Sequence, residues 1–260
     1  MMYYNLEMSR RPRESVNNTI DLSPEVQAIA EIMGTSVSTR DLIILASIDQ
    51  IIETGPVDFN SGTVCDLLNL KHPMINYYFG SRDGLIVEAT IWAYRGWSDK
   101  VMTAARNAPK NAEKRLRAYL DEGLDWAKNM GAMTVLSQYP VLSKTVKTLI
   151  DDGYSVELQK DFEYHLVFLA VLIHDMRSGK NSDLDFDQTN YPKSKYSLSH
   201  PRELLEATSV AWASHGIMMW RSGSHTPTNN MRKDFTAKFS EDIAMGIHID
   251  NIVAIAKGRK

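Results

Sequence analysis

Residues 39–85 constrain this chain most, because helix-forming stripes there are cut at short intervals by residues that cannot continue a helix. Ile44, Ile48, Ile51 and Ile52 fall at i, i+4, i+7 and i+8, the repeat of one helical face. Gly55 supplies a stop to this helix, predicted over 39–53, and Pro56 cannot extend it. Asn60 or Ser61 then caps a short helix with Val64, Leu67 and Leu68 facing inward. Asn69 is the turn residue, since asparagine tolerates a left-handed backbone better than most. Lys71-His72-Pro73 opens another short helix, with proline acceptable in its first turn, and Ile75, Tyr78 and Phe79 anchor it to the core. Ser81-Arg82-Asp83 opens the next. Two short helices joined by a turn and braced by a third are how a small unit offers one helix to the DNA major groove.

The rest of the chain continues as helix. Ser23-Pro24-Glu25 has the form of an N-cap, a first-turn proline and a first-turn acid, and Gly34 ends the short helix that follows. Helical stripes are predicted over 83–106, 112–130, 141–176 with a break near Gly153, 201–221 and 235–256, with a short piece at 133–140. Residues 178–200 and 222–230 read as polar, turn-rich loops, and no alternating strand pattern survives a count. The fold class is therefore all-α. Its divisions are an N-terminal arm and extra helix (1–37), a three-helix helix-turn-helix head (38–84), and a C-terminal helical bundle (85–260).

Composition sets the outer limits. At 260 residues, 43% of them hydrophobic, the chain has ample length for a buried core. The longest apolar run, 166–173, is eight residues, where a membrane span needs roughly 18, so no membrane partner is expected. Arg10, Arg11 and Arg13 precede no apolar segment, which speaks against a secretory signal. A single cysteine, Cys65, fits a reducing, cytoplasmic setting. The net charge of −3 does not advertise a nucleic-acid binder. Between residues 38 and 90, Arg40, Lys71 and Arg82 face Asp41, Asp49, Glu53, Asp58, Asp66, Asp83 and Glu88. Phosphate neutralisation normally supplies much of the affinity for DNA, so this balance counts against that function unless the arginine-rich arm compensates.

Residues 39–85 resemble the DNA-binding domain of the tetracycline-repressor (TetR-like) family of bacterial regulators. Thr39-Arg40 and Gly55 open and close the first helix as in that family, and Val64-Cys65-Asp66 occupies the place of its Ile-Ala pair. Asn69-Leu70-Lys71 replaces its Gly-Val-Ser turn. The run Ile75-Asn76-Tyr77-Tyr78-Phe79 is similar to the aromatic end of its recognition helix, and Ser81-Arg82-Asp83-Gly84-Leu85 to its Ser-Lys-x-x-Leu. The chain departs from the pattern at Asn69, Pro73, Met74 and Asn76. The resemblance implies a homodimer that binds a double-stranded DNA operator, a pseudo-palindrome, and is released by an unknown small-molecule effector. A weaker likeness at 211–216 marks a dimerisation helix.

On this reading the DNA-binding residues are Thr39, Arg40, Ser61, Lys71, His72, Met74, Asn76, Tyr77 and Arg82. Asn76 suits bidentate bonding to adenine and Met74 contact with a thymine methyl, while Thr39 and Arg82 sit at helix starts where phosphates are gripped. The bland alternative is a solvent-facing helix, and Tyr78 and Phe79 read as core. Candidate effector contacts are Trp92, Trp126, Met130, Tyr164, His165, Phe168 and Trp212, although aromatic residues at helical spacing are mostly core. Candidate dimer-interface residues are His215, Phe235, Phe239 and Ile243. No catalytic constellation and no cofactor motif stands out, so an enzyme is not expected. No metal is expected either: the seven histidines lack zinc spacing, and Asp183, Asp185 and Asp187 read as an acidic loop without the glycine of a calcium site. The alternative function is a helical ligand-binding or protein-interaction dimer that has lost specific DNA binding.

Overall fold

A computed structural model describes residues 22–34, 37–138, 148, 150–198, 200–222 and 241–258. Among them all regular structure is helical, as the periodicity predicts. The elements are α1 (Pro24–Met33), α2 (Thr39–Asp58), α3 (Ser61–Leu67), α4 (Pro73–Phe79), α5 (Arg82–Asn107), α6 (Ala112–Met130), α7 (Ala132–Gln138), a π-helical turn (Ile150–Tyr154), α8 (Ser155–Ser178), α9 (Lys193–Leu198), α10 (Pro201–Arg221) and α11 (Glu241–Lys257). No helix is long and apolar enough to cross a membrane. The Arg10–Arg13 arm, the start of the helix predicted from 141, the 222–230 loop beyond Ser222, and Phe235 and Phe239 lie outside the described residues.

Local chemistry sets the helix ends. The first turn of α2 is held by a capping box: Ser38 accepts from the Asp41 N–H, and the Asp41 carboxylate accepts from the Ser38 N–H at 2.9 Å. Gly55, at φ 78° and ψ 163°, breaks α2 as the sequence predicts, but helical backbone resumes from Pro56 to Asp58, because proline is at home in a first turn. Ser23 precedes α1 without capping it. Its hydroxyl instead donates to Asp49 Oδ1 on α2 at 2.6 Å, fastening α1 to α2. Burial holds Asp49 above the usual carboxylate range, outweighing the hydrogen bonds from Ser23, which pull it down.

One continuous apolar cluster runs from Val26 to Ala256. It includes Ile44, Ile48 and Ile51 of α2, Trp97 of α5, Tyr119 of α6, Phe168 of α8 and Val210 of α10. Helix α2 packs on α5 and α7, α5 on α6, and α10 on α6, α8 and α11. Close approach of α1 to α5 depends on Gly96, where a Cβ would stand 2.6 Å from Ile29 Cγ1 and 2.9 Å from the Trp126 ring. The inward face of α3 is Val64, Cys65 and Leu68 rather than Leu67, which is 63% exposed. Position 68 follows 64 by one turn, whereas 67 is rotated off that stripe.

The polar loop after α8 is pinned from beneath. Arg106 donates to the carbonyls of Leu184 and Phe186 at 3.1 Å each, Arg115 to that of Ser182 at 2.7 Å, and Asp175 accepts from the Ser182 backbone and hydroxyl. Leu184 and Phe186 turn inward while Asp183, Asp185 and Asp187 stay exposed. The acidic triplet is thus the outer edge of an anchored segment.

Candidate functional site

Helices α3 and α4 are joined by a tight turn. Asn60 Oδ1 accepts from the Gly62 N–H at 2.9 Å and starts α3. Asn69 adopts φ 52°, the left-handed conformation predicted for it, and lets the Leu70 N–H reach back to the Cys65 carbonyl at 2.8 Å. Pro73 then begins α4. Ile75 is buried and Tyr78 and Phe79 are half-buried, whereas Lys71, His72, Asn76 and Tyr77 stand exposed, Tyr77 by 69%. Met74, Ser61 and Thr39 are half-buried. His72 Nε2 meets Asp66 Oδ1 at 3.0 Å, an exposed bridge between the turn and α3.

The end of α4 is pressed against the start of α5. Ser81 caps α5 by accepting from the Gly84 N–H at 3.0 Å. A Cβ on Gly84 would lie 2.1 Å from the Phe79 carbonyl oxygen, so only glycine fits this crossing.

Two of the three basic residues in this region turn inward. Arg40 pairs with the buried Glu88 and lies 5.2 Å from the Phe79 ring centroid. The Tyr154 hydroxyl donates to the same Glu88 oxygen, and burial together with that bond raises the Tyr154 pKa. Arg82 donates to the carbonyls of Pro56 and Phe59 and lies over the Phe59 ring at 5.4 Å. Both residues were predicted to contact DNA, Arg82 at a phosphate; as placed, they brace α2, α4 and α5.

The predicted effector residues separate into three groups. Trp92 and Tyr164 line an open cleft of about 440 Å³ between α5, α8 and the 185–191 loop. Sequence reasoning missed its other principal walls: Tyr94, Arg95, Arg106 and Asp161. Arg95 binds Asp161 at 2.9 Å and lies over Trp92 at 5.1 Å, and Arg106 donates to the Tyr164 hydroxyl at 2.8 Å. Arg95 and Asp161 are far apart in sequence, so only α5 packing beside α8 brings them together.

Trp126, Met130, Phe168 and His165 form the second group, in the core. The His165 ring stacks on Trp97 with centroids 4.6 Å apart, its Nδ1 is 3.1 Å from the Ser98 hydroxyl, and its Nε2 contacts the Tyr119 hydroxyl. Burial, with His215 close by, lowers His165 to about 3. His215, predicted at a dimer interface, faces inward instead, 7% exposed and edge-on to Trp97 at 5.5 Å; burial lowers it to about 4.

Trp212, the third case, stands outside the bundle at 67% exposure. It shares the outer face of α10 with Leu205, seven positions earlier and 72% exposed. On α11, Ile243 and Ile247 are likewise exposed one turn apart.

Compared with protein-family models, curated proteins and solved structures, the chain matches none of them.

Proposed function

We propose that the protein is a ligand-responsive, DNA-binding transcriptional regulator of the TetR-like kind, acting as a homodimer and most simply as a repressor. The observation that carries this reading is the outer face of α4, where His72, Asn76 and Tyr77 are exposed while Ile75 fixes the helix from behind. A short helix anchored from behind, with polar and aromatic side chains exposed on one face, is the form in which base edges are read. The left-handed turn at Asn69 and the glycine crossing at Gly84 set the angle at which α4 would enter a groove.

The exposed apolar stripes of α10 and α11, Leu205 with Trp212 and Ile243 with Ile247, support a two-fold helical interface. In such a dimer two α4 helices would enter successive major grooves about 34–36 Å apart. The cleft lined by Trp92 and Tyr164 is the natural place for an effector, since it joins aromatic walls to a few fixed charges. Its occupant would favour one arrangement of α5 against α8, and coupling between the two sites would be reciprocal.

A second reading, a helical ligand-binding or interaction dimer without specific DNA binding, is favoured by the inward use of Arg40 and Arg82. Selection from a random double-stranded DNA pool separates the two. The regulator enriches an inverted repeat whose half-sites lie about one helical turn apart; failure to enrich any sequence leaves the second reading.

A further inference from the structure

Where α8 ends and α10 begins, the fold brings His174 against His200 and Glu203, three metal-ligating side chains in one place. His174 lies in the last turns of α8, His200 is the residue just before α10, and Glu203 is in its first turn. The three offer ligand atoms that all lie within 4.8 Å of one another. His174 Nδ1 is 3.7 Å from Glu203 Oε1, and His200 Nδ1 is 3.9 Å from Glu203 Oε2. We propose that His174, His200 and Glu203 form a binding site for a divalent transition-metal ion of the zinc class.

The spacing leaves room for an ion between them. Two imidazoles held against one carboxylate by hydrogen bonds would stand about 2.7–3.2 Å away. Here they straddle the two oxygens at longer range. Ligand atoms around a tetrahedral zinc, with bonds of about 2.0–2.2 Å, are separated by about 3.3–3.6 Å. The two His–Glu203 distances, 3.7 and 3.9 Å, lie a few tenths of an ångström above that separation, and all three side chains are partly sheltered from water.

The donor set selects the class of ion. Two imidazole nitrogens and one carboxylate suit zinc and its neighbours, whereas calcium and magnesium demand oxygen ligands. Three protein ligands leave a fourth position for water or another small ligand, the open form of a zinc site. Tyr196, fully buried, walls one side: its ring lies 6.2 Å from that of His174 and 5.5 Å from that of His200, and the two imidazole centroids are 4.4 Å apart. Such a wall limits solvent access to a bound ion and holds the imidazoles in place. Occupation would tie the end of α8 to the start of α10. The site does not depend on whether the chain binds DNA.

Equilibrium dialysis of the untagged full-length chain against Zn²⁺ tests this, with Co²⁺ as a spectroscopic probe. The expected result is one ion per chain and a visible Co²⁺ band of low-coordinate type. Glu203→Gln and His200→Asn, made separately, each weaken Zn²⁺ binding by at least about tenfold and abolish the band, with the helical circular dichroism retained. His248→Ala, away from the cluster, changes neither. Absence of Zn²⁺ binding in the wild type, or binding and a Co²⁺ band that survive both substitutions, would overturn the assignment.

Discussion

Arg82 gives its Nε and Nη2 to the carbonyl of Phe59 at 3.1 and 3.0 Å while its guanidinium covers the Phe59 ring. The same Nη2 reaches the Pro56 carbonyl at 2.8 Å, so one side chain satisfies the carbonyls exposed where α2 breaks at Gly55 and ends. Replacing Arg82 with Gln is therefore expected to destabilise the fold by about 1.5–3 kcal/mol, the range for hydrogen bonds involving a charged group. Arg82→Lys should not restore it, because an ammonium cannot reproduce the planar fork. Urea melts check this. Unchanged stability with weakened DNA affinity would instead assign Arg82 to phosphate.

Gly84 marks the point where α4 and α5 touch backbone to backbone. A methyl group 2.1 Å from the Phe79 carbonyl oxygen cannot be absorbed by a side-chain rotation. Gly84→Ala should cost about 3 kcal/mol or more, at the upper end for overpacking, and displace α4. A thermal melt and backbone amide shifts of 73–79 measure both; a variant as stable as wild type would mean that the two helices are not in this contact.

The helix pattern was readable because each stop had a residue with a local reason: Gly34, Gly55 and Asn69 all take positive φ in the structure. The interior faces were readable where the stripe was unambiguous, as at Ile44, Ile48 and Ile51. Leu67 and Trp212 were misread because hydrophobicity alone does not say which side of a helix is covered. Ser23 stands at the N-cap position of α1, but its hydroxyl bonds to Asp49 on another helix. The Arg95–Asp161 pair and the His174–His200–Glu203 cluster were invisible because they depend on which helices pack together. Spacing along the chain could not report that.

The buried histidines give stability a pH dependence of definite sign. His165 and His215, lowered by burial to about 3 and about 4, stay neutral in the folded chain at pH values where an unfolded histidine, at about 6.5, takes up a proton. Their folded values are depressed, so the unfolded state binds more protons and stability falls as pH falls. The contribution is complete above about pH 6.5 and is lost progressively down through the folded values. Between pH 6.5 and 5 the slope approaches about 1.4 kcal/mol per pH unit for each histidine. Chemical denaturation across that window should show the loss, and His215→Gln should reduce the slope by roughly half. A flat profile would contradict burial of the pair.

Asn76 is the exposed residue best suited to one base. Asn76→Ala should relax specificity at a single operator position by about 1–3 kcal/mol and leave the other positions unchanged. Competition among single-base variants of a selected site provides the reading, and uniform binding before and after substitution would remove Asn76 from base contact.

The most direct test of the regulator reading is the salt dependence of binding to DNA from upstream of the protein's own gene, followed by fluorescence anisotropy. Specific contact with phosphates gives a linear fall of log K with log salt, about 0.9 per phosphate neutralised. The predicted result is a sequence-specific complex at low salt with a steep negative slope, weakened as salt rises. No specific complex at low salt, with an equally weak response to unrelated DNA, would contradict the account.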